Sequence, residues 1–287
     1  MNISIKRANI SRFLTIGVII TVSVSSCFAA FISKLSDAEC VAFGDIPQAI
    51  GVSNASLFGG YGIFAGGSYN RNFNHADFDM LSGYAAWGQD NIGRVTLTGS
   101  SFAVDDLTTE TQMNIGFSRK LLSDVHNILA LAIRGDIYSL SYGTSVDGTN
   151  LGSATALGLT IAAEAIVYER TRISLLVENL SGTNMGTESD IELPRSATGL
   201  IGYSPYNDTE MAFFITREAG QDFEYALAAL ASPHEIITFR AGVATNPDRI
   251  AAGLGLHYKM VGFDYAIESH PVLPLSHFVS FGVQFPE

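Results

Sequence analysis

The 287 residues carry 16 Lys+Arg against 28 Asp+Glu, a net charge of −12, yet only 15% are charged and 47% are hydrophobic. That acidic balance argues against nucleic acid as a partner. Past the first thirty or so residues no apolar run approaches the roughly 18 residues of a transmembrane helix, so a helical span is excluded there and a β-barrel is not.

The N-terminus reads as an export leader. Lys6, Arg7 and Arg12 form a basic head, and residues 13–24 an apolar core broken only by Thr15, Gly17, Thr21 and Ser23. Small residues follow at Cys27, Ala29 and Ala30, which predicts a secretory signal over residues 1–29, cut after Ala29 or Ala30. A membrane anchor is the weaker reading, because the core is short for a span. A lipoprotein signal ranks second: Val24-Ser25-Ser26-Cys27 loosely matches a lipobox with Cys27 lipidated, without its usual Leu and Gly/Ala. Losing the three basic residues of the leader takes the net charge from −12 to −15. Cys40 is then the one cysteine left. An intramolecular disulfide and a Cys-based metal site are ruled out, and the plainest role for Cys40 is a small buried residue.

Residues 30–57 show mixed character, and the expectation is a short helix, a plug or a periplasmic segment. From residue 58 to the end the chain is a run of short segments in which apolar residues alternate with small or polar ones. Fourteen strands are predicted: 58–70, 76–87, 92–102, 110–119, 126–140, 152–168, 171–180, 195–204, 209–216, 222–231, 235–244, 249–259, 261–268 and 276–285. In 152–168, Leu157, Leu159, Ile161, Ala163, Ala165 and Val167 share one face, and Thr160, Ala162 and Glu164 the other. In 126–140, Leu129, Leu131, Ile133 and Ile137 oppose Arg134, Asp136 and Tyr138. Ile250, Ala252, Leu254, Leu256 and Tyr258 repeat the pattern, as do Val279, Phe281, Val283 and Phe285.

A soluble sandwich hides such an apolar face. An exported chain with this many strands points to the inverse, a barrel with its apolar face toward lipid and its polar face toward a lumen. The connections agree. Tight turns fall around Gln89-Asp90, Glu169-Arg170, Pro205-Tyr206-Asn207-Asp208, Ser232-Pro233-His234 and Lys259-Met260, and long polar stretches at 141–151 and 181–194. The expected fold is therefore all-β: a transmembrane antiparallel β-barrel of about 14 strands over 58–287, in the bacterial outer membrane, with lipid around it.

The closing stretch GLGLHYKMVGFDYAIESHPVLPLSHFVSFGVQF, residues 253–285, resembles the end of outer-membrane proteins of the PorV/PorQ-like group. The shared pattern is a Gly-Leu-Gly-Leu strand, a tight turn, Phe-Asp-Tyr-Ala, a polar loop ending in Leu-Ser-His and a final Val-Ser-Phe-Gly strand. The group's early Asn-Pro-Ala element is not recognisable here; Gly51-Val52-Ser53-Asn54-Ala55 is the nearest echo. The resemblance implies a FadL-like, fourteen-stranded barrel. It also implies a role in transport of small apolar solutes, or in secretion and surface attachment of other proteins. A structural or adhesive barrel working through its loops is the alternative.

Candidate site residues follow from the inferred lumen face: Arg134, Asp136, Glu164, Arg172, Glu178, Arg240, Asp264 and Glu268. They form either a polar path or, more plainly, structural ion pairs filling a narrow barrel, since a charge facing lipid costs roughly 2–4 kcal/mol at the midplane. Their mixed signs argue against a strongly ion-selective pore. His257, Asp264, Glu268, His270 and His277 match no metal-ligand spacing, so no metal or cofactor is expected. Ser276 and His277 are adjacent and point to opposite faces of a strand, so they make no nucleophile–base pair, and an enzyme carries low weight. The aromatic residues Tyr84, Phe117, Phe213, Phe223, Tyr225, Phe239, Tyr258, Phe263, Tyr265, Phe281 and Phe285 are assigned mostly to the lipid face. The lumen face reads as rich in Ala, Gly and Thr without a run of large apolar residues. That favours a narrow, plugged or partner-binding barrel over an open pore, with the loops 141–151 and 181–194 as its partner surface.

Overall fold

The computed structural model describes residues 31, 37–44, 62–75, 78–104, 107–143, 152–185 and 191–286. The expected leader, the question of Cys27, residues 144–151 of one long loop and 186–190 of the other lie outside the described residues.

Among the described residues, sixteen strands alternate with short connections. The first seven are β1 (Gly62–Arg71), β2 (Asp79–Gln89), β3 (Gly93–Val104), β4 (Thr108–Ser123), β5 (Asn127–Tyr142), β6 (Ser153–Val167) and β7 (Thr171–Glu178). A two-stranded hairpin follows, β8 (Asn184–Met185) and β9 (Ile191–Glu192). The rest are β10 (Ser196–Tyr203), β11 (Thr209–Glu218), β12 (Phe223–His234), β13 (Ile237–Ala244), β14 (Arg249–Tyr258), β15 (Val261–Glu268) and β16 (Ser276–Pro286). All but β8 and β9 form one closed barrel of fourteen strands, sealed where β1 pairs antiparallel with β16 from Gly62↔Pro286 to Arg71↔His277. Closure leaves no sheet edge, which is what makes a sheet tolerable in lipid. Each predicted strand corresponds to one barrel strand; the hairpin β8–β9, two residues a side, was too short to signal itself by periodicity.

The alternation fixes the two surfaces. Along β5, Ala130, Ala132, Arg134, Asp136, Tyr138 and Leu140 are buried while Leu131, Ile133 and Ile137 are exposed. The same parity leaves Leu157, Ile161, Ile201, Phe213, Leu227, Phe239, Ile250, Phe263 and Phe281 exposed on the outer wall. In water that continuous apolar surface would be a severe liability; in a bilayer it is the required one. Tyr84 departs from the lipid-facing aromatic set. It faces inward, its hydroxyl lying where a Cβ on Gly66 or Gly282 would stand, 2.6 and 2.8 Å away. Side-chainless neighbours on β1 and β16 make the room for its ring.

One rim carries the tight turns 90–92, 124–126, 168–170, 204–208, 235–236 and 259–260. In the second of these, the Asp124 carboxylate accepts from the amides of His126 and Asn127 at 2.8 and 2.7 Å. Those bonds hold its pKa below the usual carboxylate value. The other rim carries the long 143–152 and 179–195 connections, but also the short 105–107, 219–222 and 245–248, so the contrast between rims is milder than the sequence suggests. One irregularity lies on this side. β7 pairs only with Ile161–Val167 of β6, so Ser153–Thr160 of β6 borders the 179–195 connection, with β8 beside it, instead of a full strand.

Candidate functional site

The N-terminal segment enters the bore. Ala38–Ala42 form a short helix, α1, buried on every side against β13, β14, β15 and β16. Asp37 caps it, its Oδ1 accepting from the Cys40 amide at 2.8 Å, and the Cys40 side chain is buried. The wall is shaped to receive it: a Cβ on Gly253 would come within 2.5 Å of the Ala42 Cβ, and one on Gly242 within 2.6 Å of the Gly44 nitrogen. Phe43 then packs with Leu200, Ala212, Phe214, Ala226, Ala228 and Ala244, its ring edge-on to Phe214 at 6.0 Å. Phe31 lies against β5 and β6, across the ring: β5 and β14 are seven places apart in the order of fourteen.

Charge fixes α1 to the wall. Arg240 on β13 donates through Nη1 to Asp264 Oδ1 on β15 at 2.8 Å and through Nη2 to Glu39 of α1. His257 on β14 lies 3.5 Å from the second Asp264 oxygen, and the Ala38 amide donates to Ser280 Oγ at 2.7 Å. A second buried group sits wholly within the wall. Arg134 donates to Asp136 Oδ1 at 2.6 Å and to Glu178 Oε1 at 3.1 Å. Thr160 donates to Asp136 at 2.7 Å and Ser196 to Glu178 at 2.7 Å. With its nitrogen turned toward Asp136, the Asn114 amide donates there at 3.0 Å and accepts from Thr98 at 2.9 Å.

The eight candidate residues thus face the bore but do not make one path. Arg134, Asp136 and Glu178 come together, as do Arg240 and Asp264. Arg172 pairs with Glu210 at 2.6 Å, Glu164 accepts from Ser174 at 2.8 Å, and Glu268 meets Arg249 at 3.4 Å. Glu39, Glu210, Glu224 and Arg249 were missed. Three of them share parity with inward alanines already assigned to strands (Glu210 with Ala212, Glu224 with Ala226, Arg249 with Ala251), so that signal was present; Glu39 had none. Of the histidines among the described residues, only His257 joins a candidate carboxylate. His270 Nδ1 accepts the Val272 and Leu273 amides, and His277 meets the Tyr265 hydroxyl at 2.8 Å on the outer wall. Ser276 is buried and accepts from the Phe73 amide at 2.9 Å.

The lumen face carries more large apolar residues than the expected background of Ala, Gly and Thr, mostly one to a strand. Phe64, Met80, Tyr138, Leu140, Leu176, Leu200, Phe214 and Phe278 all point inward and are buried. They fall at inward parity on their strands, but outward neighbours of equal size mask them. One patch stands out near the long-loop rim. Tyr138 and Leu140 of β5, Ala154 and Ala156 of β6, Met185 of β8 and Leu193 enclose Phe31, whose ring meets Tyr138 edge-on at 5.1 Å. It adjoins the half of β6 that lacks β7.

A closed ring of fourteen antiparallel strands, apolar outside, has a specific set of likenesses among solved structures. The fold is that of bacterial outer-membrane barrels. The CymD monoaromatic hydrocarbon channel is similar over 88% of this chain and 98% of its own, with a TM-score of 0.61 at 11% identity. The toluene transporter TodX of P. putida is similar over 88% and 99%, with a TM-score of 0.59 at 11% identity. The outer membrane protein Omp33 of Acinetobacter baumannii matches over 79% and 99%, with a TM-score of 0.51 at 7% identity. No family model and no curated protein sequence matches the chain. At these identities the likeness concerns the barrel, and the PorV/PorQ-like assignment stays a resemblance of the closing strands.

Proposed function

We propose that the protein is a non-enzymatic outer-membrane channel for small apolar solutes. The observation that carries this reading is the apolar patch inside the bore formed by Tyr138, Leu140, Ala154, Ala156, Met185 and Leu193, which already holds one aromatic ring, that of Phe31, whose place a small apolar solute would take. A water-filled pore for ions or sugars has no use for such a surface, whereas an apolar solute gains by leaving water onto it. CymD and TodX, whose names give them hydrocarbons, share the barrel. The patch lies beside the half of β6 that β7 does not reach, and a solute leaving sideways there would not cross the ion-paired helix. Secretion or surface attachment, which the PorV/PorQ-like resemblance implies, would use the loop rim instead of the bore.

The test is uptake of a radiolabelled small apolar solute by cells that make the protein, against cells that do not. Ala156→Trp fills the patch and leaves the outer wall untouched. The expected result is uptake falling to the level of cells without the protein while boiling still shifts the barrel's gel mobility. Uptake unchanged by the filled patch would overturn the reading and favour the loops.

A further inference from the structure

Phe31 stands where the leader ends, and its backbone is unusual. The Phe31 nitrogen donates to Glu110 Oε2 on β4 at 3.0 Å. Among the described residues Glu110 has no basic side chain beside it, although it lies on the inner wall, where a carboxylate without a cation is costly. Phe31 has φ of 65°, the left-handed region that a bulky side chain rarely adopts. That angle is defined by the carbonyl carbon of residue 30. Once the bond between Ala30 and Phe31 is cut, the atom that makes it unfavourable is gone, and the same nitrogen becomes an α-ammonium, charged at neutral pH.

We propose that the export leader is removed between Ala30 and Phe31, and that the α-ammonium so created is the cation of Glu110. Hydrolysis of that peptide bond puts a carboxylate on Ala30, which leaves with the leader, and the new amine on Phe31 takes up a proton. Cleavage would thus complete the barrel's interior: it removes the strained torsion, supplies the missing charge and fixes the Phe31 ring among Tyr138, Leu140 and Met185. The inference rests on the leader read in residues 1–29 and selects the second of its two cutting points. It seats the Phe31 ring on the apolar patch, so a solute that uses the patch must displace that ring, whereas the mass and labelling measurements read the cut and the ion pair without any solute.

Two measurements test it on the protein purified from outer membranes. Intact mass and the N-terminal peptide should show Phe31 as the first residue; a chain beginning at Ala30, at a lipidated Cys27 or at Met1 overturns the proposal. Reductive methylation near pH 7 should modify the Phe31 amine roughly tenfold more slowly than in Glu110→Gln, because a partner carboxylate keeps the proton on the nitrogen. Should Glu110→Gln fail to show heat-shifted gel mobility, insertion of one Gly between Ala30 and Phe31 moves the amine away from an intact Glu110 and should release the same protection. Equal labelling in the wild type and in a folded variant would overturn the ion pair.

Discussion

Arg134 and Arg240 have the same surroundings and different tasks. Each is an inward arginine, 3% and 6% exposed, and each holds two carboxylates. The carboxylates of Arg134 both belong to wall strands, Asp136 to its own β5 and Glu178 to β7, and with Asn114, Thr160 and Ser196 the group stitches β4, β5, β6, β7 and β10 together. Arg240 shares itself between the wall, at Asp264, and the helix α1, at Glu39. A buried ion pair is a poor source of net stability but a strong constraint on what must sit beside it. In one half of the barrel the constraint sets strand register; in the other it docks a separate piece of chain.

The sharpest break of that contrast is Arg134→Met. It leaves the buried Asp136 and the part-buried Glu178 on the rigid wall without their cation, and should cost the barrel about 3–5 kcal/mol in denaturant unfolding from detergent micelles. Arg240→Met should cost the barrel less, because Glu39 escapes to water with α1. Amide exchange of residues 38–44 should rise instead. Equal barrel losses with unchanged exchange would mean that the two arginines do the same work.

Next in size is Ile161→Arg, one step along β6 from Thr160 of the Arg134 group. It puts a charge on the outer wall, at a cost of roughly 2–4 kcal/mol if near the midplane, read as impaired folding into vesicles. Normal folding would mean that the outer wall does not meet lipid.

Gly253→Leu should act first on the docking half, with a smaller strain in the wall where its Cβ would stand 3.0 Å from the Tyr265 carbonyl. Its side chain takes the space of Ala42, costing about 1–3 kcal/mol of docking. The expected outcome is faster exchange in α1 and higher ion conductance in planar bilayers, with barrel unfolding little changed. Conductance equal to wild type would show that α1 does not limit the bore. Glu39→Gln, which keeps the shape and removes the charge, should show the same pattern at about 1 kcal/mol.

The smallest effect is expected outside the bore. Asp124→Ala removes the acceptor of two amides in an open turn. Because the folded state lowers the Asp124 pKa, its contribution is present at neutral pH and lost as pH falls through that lowered value. The wild-type barrel and the Asp124→Ala barrel should therefore converge in stability on acidification; divergence would reverse the sign assigned here.

Much of this was readable from alternation. A period of two places Arg134, Asp136, Glu164, Arg172, Glu178, Arg240, Asp264 and Glu268 on one face whatever the neighbouring strands are, because adjacent side chains of a strand must point oppositely. It also places Phe214 and Leu140 inward. Those two were overlooked because attention to the lipid-facing stripe treats large apolar residues as outward by type and not by position.

What the sequence by itself determined is the set of strands, their two faces and hence a barrel with its apolar side out, since these depend on local geometry alone. What only the tertiary structure decided is which inward charge meets which. Glu39 reaches Arg240 across 201 positions of chain, and Phe31 reaches Tyr138 from a segment without periodicity. The docking of α1 depends on glycines at 242 and 253 happening to lie under it. No pattern within one segment encodes a distance to another; that comes from closing the ring, which brings together strands remote in sequence and sets Phe31 and residues 37–44 against its inner wall.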